Sequence, residues 1–195
     1  MNYLAHAYLS FGEPQIETGN LISDFVKGKK KYDYPPRILA GINLHRSIDD
    51  FTDSHPVNKK TAAIFKPAYG LYAGAFLDVV YDHFLACELN QSAEAPFEAF
   101  THEVYAHIER FTDILPSVFN NIFPYMKQHN WLFNYQYAWG VEKSMAGLTH
   151  RAAYISDSGP AFELFQTHYD DFREAYETFF PQLRAFSLEK FSDIH

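Results

Sequence analysis

Two short segments carry acidic and histidine side chains at the spacing of one helical turn. His45 and Asp49 are four residues apart, and so are Asp78 and Asp82. Residues with this spacing lie on one face of an α-helix, roughly 5–6 Å apart at their Cβ atoms. Both segments also carry apolar residues, Ile48 and Phe51 in the first and Val79 and Val80 in the second, which predicts buried helices, where an unpaired carboxylate is costly. The two faces together therefore predict a site for a divalent cation.

Further polar side chains of the same kind extend this candidate cluster. His6 and His83 lie, like His45, in apolar helical segments near acidic residues, whereas most other histidines are interpreted as surface or satisfied core residues. Asn20 and Asp24 form a third pair with a spacing of four residues. The cluster is thus predicted to draw on four segments of the chain.

The types of these side chains indicate which metal and which reaction to expect. Imidazole and carboxylate ligands without a thiolate favour Mn²⁺, Mg²⁺ or iron over a structural zinc ion. Such a cation lowers the pKa of a bound water and neutralises charge on a phosphoryl oxygen, so the sequence predicts hydrolysis of a phosphate ester. Arg46, beside His45, is interpreted either as the partner of a carboxylate or as a bidentate clamp on a substrate phosphate. No GxSxG, P-loop or GxGxxG motif favours a serine hydrolase, a nucleoside triphosphatase or a dinucleotide-binding enzyme.

The composition indicates a folded protein without a disulfide framework. The chain has 195 residues, of which 47% are hydrophobic, enough for one domain with a filled core. The single cysteine, Cys87, excludes an intramolecular disulfide and a multi-cysteine zinc site. No apolar run reaches the roughly 18 residues of a membrane span, and the first ten residues lack the basic start of a signal peptide. These features predict a cytoplasmic protein that does not enter a membrane.

Charge is divided unevenly along the chain. Residues 1–66 contain nine Lys and Arg against seven Asp and Glu, whereas residues 67–195 contain seven against seventeen. The basic residues concentrate in the segment Lys27-Gly28-Lys29-Lys30-Lys31. Such a segment either binds an acidic partner or a phosphate, or forms a solvated loop without a partner. Nucleic acid is not favoured, because the chain is acidic overall and carries no recognised binding motif.

Apolar residues recur at helical spacing along the whole chain, and no alternating run indicates a strand. We predict an all-α fold, a single-domain multi-helix bundle of six to nine helices. Thr18 is expected to cap the second helix, and Pro181 to kink or split the last. The predicted helices cover residues 1–10, 18–26, 36–53, 57–66, 71–89, 95–115, 139–153 and 161–191.

Four segments, in their order and spacing, resemble a known family. They are MNYLAHAYLS, GNLISDFVKG, PPRILAGINLHRSIDDFTDSHP and LDVVYDHFL, and together they resemble the acyl carrier protein phosphodiesterases, also called acyl carrier protein hydrolases. The resemblance is dense over the first half of the chain and thinner beyond. It implies a bacterial cytosolic enzyme, dependent on Mn²⁺, that hydrolyses the phosphodiester joining 4′-phosphopantetheine to a serine of holo acyl carrier protein. Its partner would be that strongly acidic protein, docked on the lysine segment and Arg37.

The same resemblance implies a relationship to the all-helical HD-type metal phosphohydrolases. Here the sequence departs from the pattern, because it contains no His-Asp dipeptide and has Asp82-His83 in the reverse order. Ligands are therefore not transferred from those enzymes. We predict that the metal ligands come from His6, Asp24, His45, Asp49, Asp82 and His83. Catalytic groups are predicted at Arg46, Asp49 and Asp78, and substrate contacts at Lys27, Lys29, Lys30, Lys31, Arg37 and Arg46.

Two other functions are compatible with these residues. One is an HD-type phosphohydrolase that acts on a small nucleotide-like substrate, and the other is a helical domain that binds acyl carrier protein without catalysis. The lysine segment separates the enzymatic alternatives, because a protein substrate needs a docking surface and a small phosphodiester does not. Metal content separates both from the non-catalytic domain.

Overall fold

A computed structural model describes residues 1–92 and 96–194, without the side chain of Arg151. This part of the chain contains twelve α-helices and no strand. The all-α prediction is confirmed. The helices are α1 (Tyr3–Tyr8), α2 (Pro14–Ile22), α3 (Pro36–Ser54), α4 (Pro56–Ala62), α5 (Lys66–Tyr69), α6 (Ala73–Gln91), α7 (Phe97–Glu109), α8 (Ser117–Gln128), α9 (Trp131–Asn134), α10 (Ala138–Arg151), α11 (Gly159–Thr167) and α12 (Tyr169–Ser192). None of the described helices is long and apolar enough to cross a bilayer.

The central element is α6, which the sequence predicts as a long buried helix. Its residues Val79 to Ala86 are all buried, and α1, α4, α7, α10 and α12 pack around it. A helix that is apolar on every face must be surrounded in this way, since it has no polar side to turn to water. The position of Asp78 and Asp82 on this helix therefore places both acids inside the molecule.

The number of helices exceeds the predicted six to nine, because prolines divide the chain more often than its apolar periodicity suggests. Proline stands in the first turn of α4 and of α5, so the segment predicted as one helix over 57–66 becomes two short helices. The predicted helix over 95–115 is shorter, Phe97–Glu109, and Ala95 lies outside the described residues.

Two predicted helix features are wrong. Thr18 does not cap α2; Glu13 does, with its Oε2 accepting a hydrogen bond of 2.7 Å from Ile16 N, and Pro14 follows in the first turn, where proline is favoured. Pro181 does not split the last segment either, and the alternative, a kink at this residue, stays a prediction. Pro181 lies inside α12, whose buried Phe180 and Leu183 hold both flanks in the core, and the division falls at His168, the C-cap of α11.

Helices α2 and α3 approach each other through a pair of glycines. A Cβ added to Gly19 would lie 2.1 Å from the carbonyl oxygen of Ile38, and one added to Gly41 would lie 2.1 Å from that of Ile16. Both contacts are with backbone, which no side-chain rotation can relieve. This close packing sets the distance between the end of α2, which leads to Asp24, and the middle of α3, which carries His45.

The Gly41→Ala variant is expected to lower the free energy of unfolding by about 1–3 kcal/mol, because the two helices must separate to admit the methyl group. Gly74→Ala is the matched control, since a Cβ at this helical glycine has no neighbour within 4 Å. The control should be neutral or more stable by about 0.5–1 kcal/mol. Urea denaturation followed by circular dichroism measures both, and equal stability of the two variants would contradict the tight α2–α3 contact.

Candidate active site

Three helices and one turn bring five of the predicted site residues together. His6 comes from α1, Asp24 from the 3-10 turn Ser23–Phe25 that follows α2, His45 and Asp49 from α3, and Asp78 from α6. His45 Nε2 lies 3.0 Å from Asp49 Oδ2 and 3.2 Å from Asp24 Oδ1. His6 Nε2 lies 3.3 Å from Asp49 Oδ1. Asp49 thus contacts both histidines and is the centre of the cluster.

The two imidazole rings are held in fixed positions. They are buried and stack face to face, with their centroids 3.9 Å apart and an angle of 14° between the planes. His45 Nδ1 lies 2.7 Å from the backbone carbonyl of Asn20, which accepts its hydrogen and directs Nε2 toward the carboxylates. The side chain of Asn20 donates in turn to the backbone carbonyl of His6, so this residue fixes both histidines.

The amino group of Met1 is a member of the cluster that sequence reasoning missed. It lies 3.3 Å from Asp49 Oδ1 and 3.3 Å from Asp78 Oδ1. Burial opposes its charge, but the carboxylates of Asp78 and Asp49 outweigh that effect and raise the pKa of the ammonium to about 11. Helical spacing could not predict this contact, because it describes side chains and the amino group belongs to the backbone. Its position shows that the carboxylates create a binding environment for a positive charge.

The protonation states of the cluster follow from burial and from these contacts. Burial disfavours a charged His45, yet its hydrogen bonds to Asp24 and Asp49 prevail and raise its pKa to about 9. Burial and the charge of His45 lower the pKa of His6 to about 4. Burial acts against the ionised form of Asp49 as well, but hydrogen bonds from both histidines hold the pKa of its carboxyl well below the usual range. Burial raises the pKa of Asp78 to about 6.

The donor set of this cluster fits a divalent cation. His6, His45 and Asp49 each offer a ligand atom within 4.8 Å of the others. The Nδ1 atom of His6 is buried and has no hydrogen-bond partner among the described residues, which marks a polar atom whose natural partner lies outside the chain. Two imidazoles and a carboxylate, without a thiolate, suit Mn²⁺, Fe²⁺ or Mg²⁺.

The structure places two predicted ligands outside this group. Asp82 accepts hydrogen bonds from the backbone N–H groups of Leu4 (2.8 Å) and Ala5 (3.1 Å), and so binds the N-terminus of α1. Burial raises its pKa to about 7, although these hydrogen bonds act in the opposite direction. His83 has both ring nitrogens occupied, by the carbonyl of Tyr135 at 2.7 Å and the hydroxyl of Tyr169 at 3.0 Å. Both residues thus have contacts that hold helices together.

The predicted substrate contacts lie at or near the surface. Lys29 and Lys30 are exposed on the 3-10 turn Gly28–Asp33, which begins four residues after Asp24, and the exposed Lys27 immediately precedes this turn. The neighbouring Lys31 donates to Asn43 Oδ1 at 2.9 Å, which ties the turn to α3. The two predicted arginines have protein partners: Arg37 lies 3.4 Å from Glu13 Oε1, and Arg46 donates to the carbonyl of Val26 at 3.2 Å.

A cavity of about 250 Å³ opens beside the cluster. Asp24, Asp78 and Met1 line it together with Phe25, Ala75 and Leu148. A phosphate placed there would lie next to the two acids and the candidate metal ligands. The cavity therefore gives a substrate access to the cluster.

Comparison with known proteins identifies the family. A model of the family "Acyl carrier protein phosphodiesterase" matches residues 1–183. The chain belongs to this family. The acyl carrier protein phosphodiesterase of Photorhabdus laumondii is 31% identical over 186 residues, which cover 94% of this chain and 93% of that protein. Those of Salmonella paratyphi A and Salmonella agona are each 30% identical over 191 residues, or 97% of this chain and 99% of theirs.

Membership of the acyl carrier protein phosphodiesterase family confirms the resemblance found in the sequence motifs, and the match extends well beyond the first half of the chain, where the motifs are dense. The family match also covers α8, α9 and α10, for which the motifs gave no functional interpretation. No solved structure is significantly similar to this chain.

Proposed function

We propose that this protein hydrolyses the phosphodiester between 4′-phosphopantetheine and the serine of holo acyl carrier protein, giving apo acyl carrier protein and free 4′-phosphopantetheine. The proposal joins family membership to one observation, the group formed by the buried His6 and His45 and the partly exposed Asp49 beside a cavity open to substrate. Mn²⁺ is the proposed cofactor, with Mg²⁺ and Fe²⁺ as the alternatives that the same ligands would accept.

His6, His45 and Asp49 would hold the metal ion, which supplies an activated water and neutralises charge on the phosphoryl oxygens when bound. Asn20 orients both histidines through its backbone carbonyl and its side-chain amide. Such orientation keeps the donor atoms in place before substrate arrives.

Asp78 is the group best suited to accept the proton of the attacking water. It lines the cavity, and burial raises its pKa to about 6, near the pH at which a general base works most efficiently. As the water oxygen bonds to phosphorus, its proton passes to a carboxylate oxygen of Asp78. The bond from phosphorus to the serine oxygen breaks, that oxygen takes up a proton from solvent water and leaves as the serine hydroxyl, and Asp78 returns its proton to the solvent.

The exposed lysines give an acidic carrier protein a place to dock. Lys27, Lys29 and Lys30 are exposed and follow Asp24 directly in the chain. A positive surface next to the cluster attracts an acidic protein and orients its modified serine toward the metal ligands. The lysine segment thus supports a protein substrate over a small nucleotide-like one.

Conversion of purified holo acyl carrier protein to its apo form, followed by intact mass spectrometry, tests this function. Metal-free protein should be inactive, and addition of Mn²⁺ should restore the loss of phosphopantetheine. The released product should carry the phosphate, since the serine oxygen is the leaving group. Retention of the full mass of the holo protein at every metal tested would refute the proposal.

A further inference from the structure

A second, larger cavity lies beside the one that borders the cluster. Its volume is about 350 Å³, within the range of roughly 300–1,000 Å³ that small-molecule sites occupy. It lies between the start of α1, the short helix α9 and one face of α10. None of the residues in the proposed metal group lines it, so the mechanism described above leaves it without a role.

The two cavities adjoin at the start of α1. Asn2 and Tyr3 line both of them. The side-chain amide of Asn2 donates to the hydroxyl of Tyr135 at 2.8 Å, which fixes the wall that the cavities share. A slender molecule with one end at Asp24 and Asp78 would reach the larger cavity by passing Asn2 and Tyr3.

The lining of the larger cavity is aromatic with amide and hydroxyl groups interspersed. Trp131 and Trp139 contribute ring surface and remain 36% and 46% exposed, although tryptophan is usually well buried. Asn134 and Ser144 add polar atoms, and Lys143 stands over the ring of Trp139 at 4.9 Å. Exposed aromatic rings next to hydrogen-bonding groups suit a ligand that alternates apolar carbons with amides.

We propose that this cavity binds the pantetheine arm of the substrate while its phosphate lies at the metal cluster. The inference rests on the proposed function, because that function supplies a substrate whose phosphate continues into such an arm. Pantetheine is a thin chain with a pair of amide groups, a branched hydrocarbon segment and a terminal thiol, which matches the aromatic and amide lining. The folded carrier protein is too wide to enter and must stay at the lysine surface.

Glycines in the lining show where the cavity can be filled without damage to the fold. Gly147 lines it, and a Cβ built there meets nothing within 4 Å, so a larger side chain at this position would project into open space. Gly140, one of the other lining residues, differs, because its Cβ would lie 2.0 Å from the carbonyl oxygen of Asn134. Substitution of Gly147 therefore blocks the cavity, whereas substitution of Gly140 would disturb the backbone.

The first test is binding of free pantetheine, which carries no phosphate, followed by tryptophan fluorescence. Trp131 and Trp139 are the only tryptophans of the chain, so the signal reports on this cavity alone. A saturable change is expected in the unaltered protein, with affinity lower by at least about tenfold in Gly147→Leu. Ala146→Leu, an exposed position on the same helix, should bind as the unaltered protein does.

The absence of a saturable change in the unaltered protein, or equal affinity in Gly147→Leu, would overturn the inference. Ser144→Leu provides a second way to fill the cavity, and circular dichroism shows which variant keeps its fold. Kinetics with holo acyl carrier protein separate this inference from the proposed function. If the unaltered protein and both filled variants cleave the carrier protein equally well, only the cavity proposal fails. If the unaltered protein does not cleave the carrier protein, the proposed function fails, and the pantetheine titration still tests whether the cavity binds pantetheine.

Discussion

Asp49→Asn is expected to reduce hydrolysis of holo acyl carrier protein by about 10³-fold or more while the protein still folds. Asp49 contacts His6, His45 and the amino group of Met1 together. Asparagine keeps the shape of the side chain but removes the negative charge that a metal ion needs, and residues that act as one catalytic unit fail together. The measurement pairs initial rates with calorimetric titration of Mn²⁺, whose affinity should fall in parallel.

Asp50→Asn is the matched control for this substitution. Asp50 is adjacent and exposed, and its substitution changes the charge of the chain by the same amount, but its side chain is turned about 100° around α3 from that of Asp49. It should retain full activity and Mn²⁺ affinity. If Asp49→Asn keeps its metal affinity, or if both variants lose equal activity, the group of His6, His45 and Asp49 is not the metal centre.

The local part of the site could be predicted from sequence, since helical geometry alone determines it. His45 and Asp49 are four residues apart on one helix, and their side chains do meet at 3.0 Å. The helix also begins at Pro36 and ends at Ser54, as the pair Pro35-Pro36 at its start and the single Pro56 after its end predict. Neither result needs knowledge of what packs against the helix.

Asp78 and Asp82 show why the same spacing does not always give the same role. Both lie on α6 at helical spacing, yet Asp78 lines the cavity by the cluster while Asp82 binds the N–H groups at the start of α1. Which of them faces the cluster depends on where α1 crosses α6, a contact between residues almost eighty positions apart. Local periodicity cannot predict such a contact. For the same reason it could not predict that His83 contacts Tyr135 and Tyr169.

The larger cavity could not be predicted from the sequence, for a related reason. The segment that supplies Trp131 and Trp139 is rich in aromatics, and an aromatic-rich helical segment ordinarily indicates core packing. Only the packing of α9 and α10 against the start of α1 leaves these rings at the edge of open space. A cavity forms only where several segments pack together, so no single segment predicts it.

Reversal of charge at Lys29 and Lys30 is expected to lower kcat/KM for holo acyl carrier protein by about 10²-fold at low salt. Both side chains are exposed close to Asp24 in the chain and make no side-chain hydrogen bond within residues 1–92 and 96–194, so the double variant Lys29→Glu/Lys30→Glu should keep the fold and the metal centre. Its turnover of a minimal diester, phosphopantetheine joined to a single serine amide, should be unchanged. The effect should shrink as salt rises, because exposed charges are screened.

Lys59→Glu/Lys60→Glu serves as the control with the same change in net charge. These lysines are exposed on α4, outside the lysine segment. If attraction depends on overall charge alone, both double variants should lose kcat/KM equally, and the docking surface is refuted. If only Lys29→Glu/Lys30→Glu loses kcat/KM, and only with the protein substrate, the lysine turn positions the carrier protein over the cluster. That result would exclude a small nucleotide-like molecule as the substrate that this surface binds.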